Sequence, residues 1–162
     1  PTPGWPPAGW VLVACSVGQG DGLVLNAGGG AEVVVDAGPD AGAMDACLDR
    51  LHVRAVPIVV LTHFHADHVD GLPGVLDGRR VGVIETSPVP EPGTGVASVR
   101  AVARRAGVPV RVAAYGETTS IGPLRWRVLA PVRQEYADSD SPPNDGSLVL
   151  QPDLRRHHAV QR

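Results

Sequence analysis

Three histidines and one aspartate fall within six residues of this chain, at His63, His65, Asp67 and His68. Neutral imidazole nitrogens and carboxylate oxygens are the ligands that borderline divalent ions such as zinc accept. His63 and His65, two apart on an extended turn, can face the same way, whereas Asp67 and His68 are adjacent and diverge. The spacing therefore predicts that the first pair binds one metal ion and the second pair another close by, as two-metal hydrolytic sites require. The alternative is a histidine-rich surface loop.

Other polar residues lie where strands are predicted to begin or end. Asp36 follows the apolar segment 32–35, just as the histidines follow the apolar segment 56–61. From the end of a strand, Asp36 can orient the histidine segment through hydrogen bonds to its backbone or to its ligands, although a plain turn aspartate is the alternative. Asn144 and Asp145 precede a predicted strand, and by themselves such residues are more often turn residues than ligands.

Length and composition fit a single soluble domain. The chain has 162 residues, of which 43% are hydrophobic and only 4% aromatic, so we expect a core of Val, Leu and Ala and strands covered by helices. No apolar run approaches the roughly 20 residues that cross a bilayer. The net charge is −3, and all fourteen basic residues are scattered arginines apart from three adjacent pairs. This distribution predicts no broad basic surface for nucleic acid.

The two cysteines leave the redox compartment open. Cys15 is predicted in a strand and Cys47 in an amphipathic helix, where buried free thiols are common. At most one disulfide is possible.

The hydrophobic pattern predicts alternating strands and helices. Strands are expected over 10–14, 23–26, 32–35, 56–61, 81–85, 109–113, 124–129 and 147–151. Helices are expected over 40–52, 68–77 and 95–106. Glycine-rich turns are expected over 17–22 and 27–30, where glycine permits close backbone approach, and a loop is expected over 130–146.

Four pieces of the sequence, in this order, resemble the metallo-β-lactamase superfamily. Within it they are similar to the C-terminal domain of ComEC-type competence proteins, the membrane channels of bacterial DNA uptake. The pieces are Val-Gly-Gln-Gly-Asp at 17–21, Val-Asp-Ala-Gly at 35–38, His-x-His-x-Asp-His at 63–68, and Asn-Asp-Gly-Ser-Leu-Val-Leu at 144–150. The resemblance covers residues 10–151 and implies an α/β fold, a four-layer αββα sandwich that is incomplete at the C-terminus. Residues 1–9 are expected to be a linker.

The resemblance also implies a site and a reaction. The implied metal ligands are His63, His65, Asp67 and His68, with Asp67 also catalytic. Asp36 and Asp21 would support these ligands, and Asn144 or Asp145 would lie at the mouth of the site. The complete family site holds two ions, zinc or manganese, and hydrolyses phosphodiester bonds of DNA. The implied partners are single-stranded DNA and the rest of a membrane channel, of which this would be an extracytoplasmic domain.

The sequence departs from the family pattern in three places. Ser16 stands where the opening motif has Asp, and Asp70 stands where the family has a Gly after its Asp-His pair. The later family segments, a strand ending in Gly-Asp and a His-His-Gly-Ser turn, have no counterpart. His157 and His158 are not expected to replace them, because 152–162 is predicted to be a disordered tail. The chain is therefore predicted to be truncated, to bind one ion weakly, to be weak or inactive, and to associate through an unfinished sheet edge.

Two other functions stay open. A hydrolase of small esters, thioesters or lactones could use the same ligands, since a fold alone does not choose the substrate, and a slightly acidic chain lacks the basic groove of a nuclease. A degenerate domain that binds a partner without catalysis is the other alternative, and the missing ligands favour it.

Overall fold

A computed structural model describes residues 5–132 and 139–154 of the chain. The described strands are β1 (Leu12–Ala14), β2 (Leu23–Asn26), β3 (Glu32–Val35), β4 (Ala55–Leu61), β5 (Arg80–Thr86), β6 (Val110–Val112), β7 (Thr118–Ile121), β8 (Leu124–Ala130) and β9 (Val149–Leu154). The described helices are α1 (Ala41–Arg50), α2 (Ala66–Val69), α3 (Leu72–Leu76), α4 (Gly93–Ala106) and α5 (Pro142–Asp145). Within these residues, no helix is both long enough and apolar enough to cross a bilayer.

The first sheet contains β1 to β6 in chain order. Strands β1, β2 and β3 pair antiparallel, whereas β3, β4, β5 and β6 run parallel. Parallel neighbours need crossover connections, which α1, then α2 with α3, and then α4 supply. The carboxyl ends of the parallel strands consequently meet at one edge of the sheet, where Asp36, Thr62 and Ser87 follow β3, β4 and β5.

Two hydrophobic clusters hold the layers together. Helices α1, α3 and α4 cover one face of the first sheet, through residues such as Met44, Leu72 and Val99. The other face packs on a second sheet, β7-β8-β9, through residues such as Val60 and Trp126. Strand β4 is apolar because both of its faces are covered. These layers confirm the predicted α/β sandwich, although no helix side chain of the described residues enters the second cluster.

Several element boundaries differ from the prediction. The helix expected over 68–77 is divided into α2 and α3, because the chain turns at Gly71, whose N–H donates to Gly38 O at 2.7 Å. Strand β7 was not predicted, since Thr118 to Ser120 are polar, and α5 lies inside the predicted loop.

The predicted linker and tail are only partly described. Trp5 to Gly9 contain neither helix nor strand, and residues 1–4 lie outside the described residues. Strand β9 continues through Leu154, three residues past its predicted end. His157 and His158 lie outside the described residues.

The two cysteines are bonded to each other. Cys15, directly after β1, and Cys47, in α1, form a disulfide with their Cα atoms 5.8 Å apart. This is the one disulfide that the sequence allows, and it decides between the paired and the free thiols that the sequence left open. The pairing depends on the packing of α1 against the end of β1, which the sequence pattern does not specify.

Strand β9 pairs only with β8 among the described residues, so its other edge is open. Val149 in β9 is 49% exposed, and Leu12 on β1 is 51% exposed. Open edges with apolar neighbours favour pairing with another chain, while Pro152 removes one N–H from β9 and limits the pairing.

We expect this chain to associate through the β9 edge in a concentration-dependent manner. Val149→Lys should weaken the association, because a lysine at an edge strand disfavours pairing. Val112→Lys, on the edge strand β6 of the other sheet, is the matched control and should leave it unchanged. Sedimentation velocity over a range of concentrations measures the effect. A monomer at every concentration, with a cooperative melt above about 65 °C, the top of the usual mesophilic range, would contradict the expectation.

Candidate metal centre

The four predicted ligands lie in one short segment after β4. His63 and His65 precede α2, and Asp67 and His68 lie within it. The ring centroids of His63 and His65 are 4.9 Å apart, and those of His63 and His68 are 4.0 Å apart. Asp67 Oδ2 lies 3.8 Å from His68 Nε2. The fold thus brings the four side chains together, and their role as metal ligands stays a prediction.

Asp36 connects this segment to the sheet. Its side chain is almost completely buried, with 2% of the residue exposed. Asp36 Oδ1 accepts from Thr62 N at 2.7 Å, and Oδ2 accepts from Thr62 Oγ1 at 2.6 Å and bonds His68 Nδ1 at 2.9 Å. Its backbone φ is 56°, in the left-handed region where Asp is enriched among non-glycine residues. One carboxylate therefore orients both the backbone of the histidine segment and one of its rings.

The hydrogen bonds assign the ring protons. Because a carboxylate only accepts, His68 Nδ1 donates to Asp36, and His68 Nε2 keeps its lone pair. The Thr62 hydroxyl gives its proton to Asp36, so at 3.1 Å it accepts from His63 Nδ1. His63 Nε2 then also keeps its lone pair. Two neighbouring rings are thus held in a tautomer whose Nε2 lone pair can bind a divalent ion.

Burial and charge shift the pKa values of these two rings in opposite directions. Burial lowers the pKa of His63, and the neighbouring His68 lowers it further. Burial also acts to lower the pKa of His68, but the hydrogen bond and charge of Asp36, with Asp67 and Asp21, outweigh it and raise that pKa. Of these two rings, His68 therefore holds a proton more readily.

Asp21 reaches the same cluster from the loop between β1 and β2. Its Oδ2 lies 3.9 Å from His68 Nδ1, and one ligand atom each from Asp21, Asp36 and His68 lie within 4.8 Å of one another. Both oxygens of Asp36 already accept hydrogen bonds from Thr62, however. We therefore interpret this trio as a support for His68 rather than as a separate metal site.

Two glycines let the neighbouring loops approach α2 closely. A Cβ on Gly20 would lie 1.9 Å from the backbone oxygen of Asp67, and a Cβ on Gly71 would lie 2.0 Å from Ala37 O. Ala37 N donates to His68 O at 2.8 Å. The loops after β1 and β3 therefore contact α2 from its start to just beyond its end. Any residue larger than glycine at position 20 or 71 would prevent these contacts.

Asn144 and Asp145 are placed differently from the predicted ligands. Asn144 Nδ2 donates to Ser141 Oγ at 2.9 Å, and Asp145 accepts from Ser139 Oγ. Among the described residues, no hydrogen bond joins either side chain to the four predicted ligands. Their turn instead meets the histidine segment through its backbone, because Leu148 N donates to Thr62 O at 2.9 Å.

Thr62 is the functional residue that sequence reasoning missed. It stands directly before the first histidine, and its hydroxyl joins Asp36 to His63. A hydroxyl residue adjacent to a ligand is the only signal in the sequence. That signal is weak, because the sequence does not show that Asp36 lies next to Thr62.

A sequence model of the Metallo-beta-lactamase superfamily matches residues 16–158. No curated protein sequence is significantly similar to the chain. A HARLDQ-motif mutant of a metallo-beta-lactamase from Cronobacter sakazakii is 16% identical, with a TM-score of 0.56 over 83% of this chain and 53% of that one. Zn(2+)-bound PqqB from Methylobacterium extorquens is 18% identical, with a TM-score of 0.55 over 83% and 49%. The BLEG-1 B3 metallo-beta-lactamase is 19% identical, with a TM-score of 0.60 over 86% and 66%.

The chain spans about half the length of the first two of these structures. At such identities the likeness shows the fold alone.

We expect Asp36→Asn to lower the affinity for Zn²⁺ by about 10- to 100-fold, as loss of a group that orients a ligand commonly does. Asparagine tolerates the left-handed backbone, so the fold should persist. The pKa of His68 should fall, because the burial that lowers it remains while the charge that raises it is lost. Competition with a chromophoric chelator measures the affinity, and NMR titration of the metal-free chain follows the imidazoles. Asp70→Asn, an exposed change in the same segment, is the control. Unchanged affinity in Asp36→Asn would contradict this role.

Proposed function

Because the chain belongs to the metallo-beta-lactamase superfamily, we propose that the cluster around Asp36 is the divalent-metal centre of a hydrolase. The observation that carries the proposal is the pair of rings, His63 and His68, whose Nε2 atoms are left free by bonds from Nδ1 to Thr62 and Asp36. A histidine-rich surface loop would not need a buried carboxylate to fix its tautomers.

The donor set fits a borderline divalent ion. The residues that would hold it are His63, His65, Asp67 and His68. Imidazole and carboxylate suit zinc and manganese alike, so we propose either of these metals. The chemistry that such an ion supplies is Lewis-acid activation of water at neutral pH and stabilisation of the charge on a leaving oxygen.

The chain's own residues have distinct tasks. Asp36 and Thr62 hold the rings in one orientation and one tautomer. Asp67, whose side chain is 42% exposed, can reach both the centre and solvent. We therefore propose that it accepts a hydrogen bond from the attacking water. Asp21 lies near the same ring nitrogen of His68 that Asp36 bonds. Asn144 and Asp145 belong to the turn that borders the histidine segment.

The substrate that we propose is a phosphodiester of DNA, within an extracytoplasmic domain of a ComEC-type uptake protein. Two sequence motifs that resemble this subfamily support it, Gly-Gln-Gly-Asp at 18–21 and Asn-Asp-Gly-Ser at 144–147. The disulfide between Cys15 and Cys47 also supports it, because structural disulfides persist in oxidising compartments outside the cytosol. Single-stranded DNA and the rest of a membrane channel would be the partners.

We expect this chain to bind one ion weakly and to cleave DNA slowly. The four ligands in its described residues are too few to saturate two ions, and a nucleophile misplaced by about 1 Å can cost a hundredfold in rate. Elemental analysis after dialysis against Zn²⁺ or Mn²⁺ gives the stoichiometry. Cleavage of single- and double-stranded DNA gives the rate.

The variants His63→Ala and Asp67→Ala should lose both metal and residual cleavage. His52→Asn removes an exposed histidine outside the centre, at a backbone φ of 59° that Asn tolerates, and it should lose neither. A wild-type chain that binds no divalent ion would overturn the metal centre. Binding of an ion without hydrolysis of any substrate would favour the degenerate domain, and two tightly held ions would contradict the weak single site.

Hydrolysis of small esters, thioesters or lactones is the second candidate. The observation that favours it is a cleft of about 300 Å³ between the two sheets, in which Thr62 is the polar member of an otherwise apolar lining that includes Leu25 and Trp126. Such a cleft suits an acyl chain better than a phosphodiester backbone. Chromogenic esters of increasing acyl length, tested on the same variants, separate the two functions.

A further inference from the structure

We propose that the Cys15–Cys47 disulfide is a positioning device for the metal centre, so that reducing this bond weakens metal binding. The bond anchors the loop 16–22, which supports Asp67 and His68 from one side. The inference rests on the proposed metal centre and adds a redox control to it.

The disulfide closes the base of this loop. Cys15 follows β1, and Cys15 N donates to Gly22 O at 2.8 Å directly before β2 begins. The sulfur of Cys15 is bonded to that of Cys47 in α1. The base of the loop is thereby attached covalently to a helix of the core.

The body of the loop packs against the same helix. Val17 is buried, and a Cβ on Gly22 would lie 3.1 Å from Val17 Cγ1 and 3.2 Å from Met44 Sδ of α1. A Cβ on Gly38 would lie 2.4 Å from Val17 Cγ2. A shift of α1 relative to the loop would therefore be transmitted through Val17 to the backbone after Asp36.

The tip of the loop meets the predicted ligands. Gly20 is so close to the backbone of Asp67 that a Cβ would lie 1.9 Å from its oxygen, and Asp21 Oδ2 lies 3.9 Å from His68 Nδ1. Releasing the base of the loop would free this tip to move. Asp67, whose side chain is 42% exposed, would then lose the contact that fixes its backbone.

A reductant can reach the bond. The two cysteines are largely buried, at 9% and 2% exposure, but Cys47 lines an open groove of about 720 Å³ together with Ser16 and Trp5. A dithiol reductant would supply two electrons and two protons and become a disulfide itself. The bond between Cys15 and Cys47 would break, and both residues would become thiols.

The first test is the double variant Cys15→Ala/Cys47→Ala, in which no thiol can bind metal. We expect its affinity for Zn²⁺ to fall by about 10- to 100-fold, as for other groups that orient ligands. The visible spectrum of the Co²⁺ form should change, because the geometry at Asp67 relaxes.

The control for stability alone is Val128→Ala, in β8 of the second sheet, on the opposite side of the first sheet from α1 and its disulfide. Val128 is buried in the second hydrophobic cluster, so its truncation should lower the melting temperature without changing the Co²⁺ spectrum. A double variant with wild-type affinity and an unchanged spectrum would overturn the proposal. A wild-type chain that binds neither Zn²⁺ nor Co²⁺ would instead defeat the proposed function.

The second test uses the wild-type chain, so it remains valid even if the double variant fails to fold. Coupling between two sites is reciprocal, so a bound ion should protect the disulfide. We expect saturating Mn²⁺, which thiols bind weakly, to shift the equilibrium between the disulfide and the two thiols toward the disulfide by about tenfold or more, in a buffer of oxidised and reduced dithiol. Alkylation and mass spectrometry measure the reduced fraction. This shift should persist in Val128→Ala and vanish in Asp67→Ala, and an unchanged equilibrium in the wild type would overturn the proposal.

Discussion

The carboxylate of Asp36 is the constraint on which the candidate centre depends. It is buried at the end of β3 and must have its hydrogen bonds satisfied there. The parallel pairing of β3 with β4 brings Thr62 to it, since Val35 is in register with Val60. The bond to His68 then fixes α2 over the strand ends. The parallel strands thus place this carboxylate, and the path of the histidine segment and the ring tautomers depend on its hydrogen bonds.

The departures from the family pattern are accommodated by this geometry. Asp70 lies at the end of α2 with ordinary helical angles and an exposed side chain, so the glycine found there in the family is not required. Gly71, one residue later, makes the close approach to Ala37. Ser16 is exposed in the loop after β1, so its replacement of Asp removes no hydrogen-bonded carboxylate from the centre.

The sequence predicted the strands and the histidine segment because apolar runs and ligand spacing are local signals. It did not predict the break at Gly71, because that break depends on a hydrogen bond from Gly71 N–H to Gly38 O, in the loop after β3. The sequence left the pairing of Cys15 and Cys47 open, since that pairing depends on where α1 packs. Strand β7 is polar from Thr118 to Ser120, and its pairing with β8 defines it. The features that were not predicted all depend on tertiary contacts, which a single sequence does not reveal.

Asp36 also links the structure of the centre to its acid-base chemistry. The same hydrogen bond that orients His68 raises the pKa of that ring, whereas burial lowers the pKa of His63. In the metal-free chain, the raised pKa of His68 stabilises the fold below the ordinary imidazole pKa, and this stability is lost as pH rises through the folded value. In the proposed centre the ion would need the lone pair of His68 Nε2, so binding would have to displace a proton that His68 holds at low pH. We therefore expect metal affinity to increase with pH until His68 is neutral, so that the carboxylate that orients this ring would also influence the pH at which metal binds.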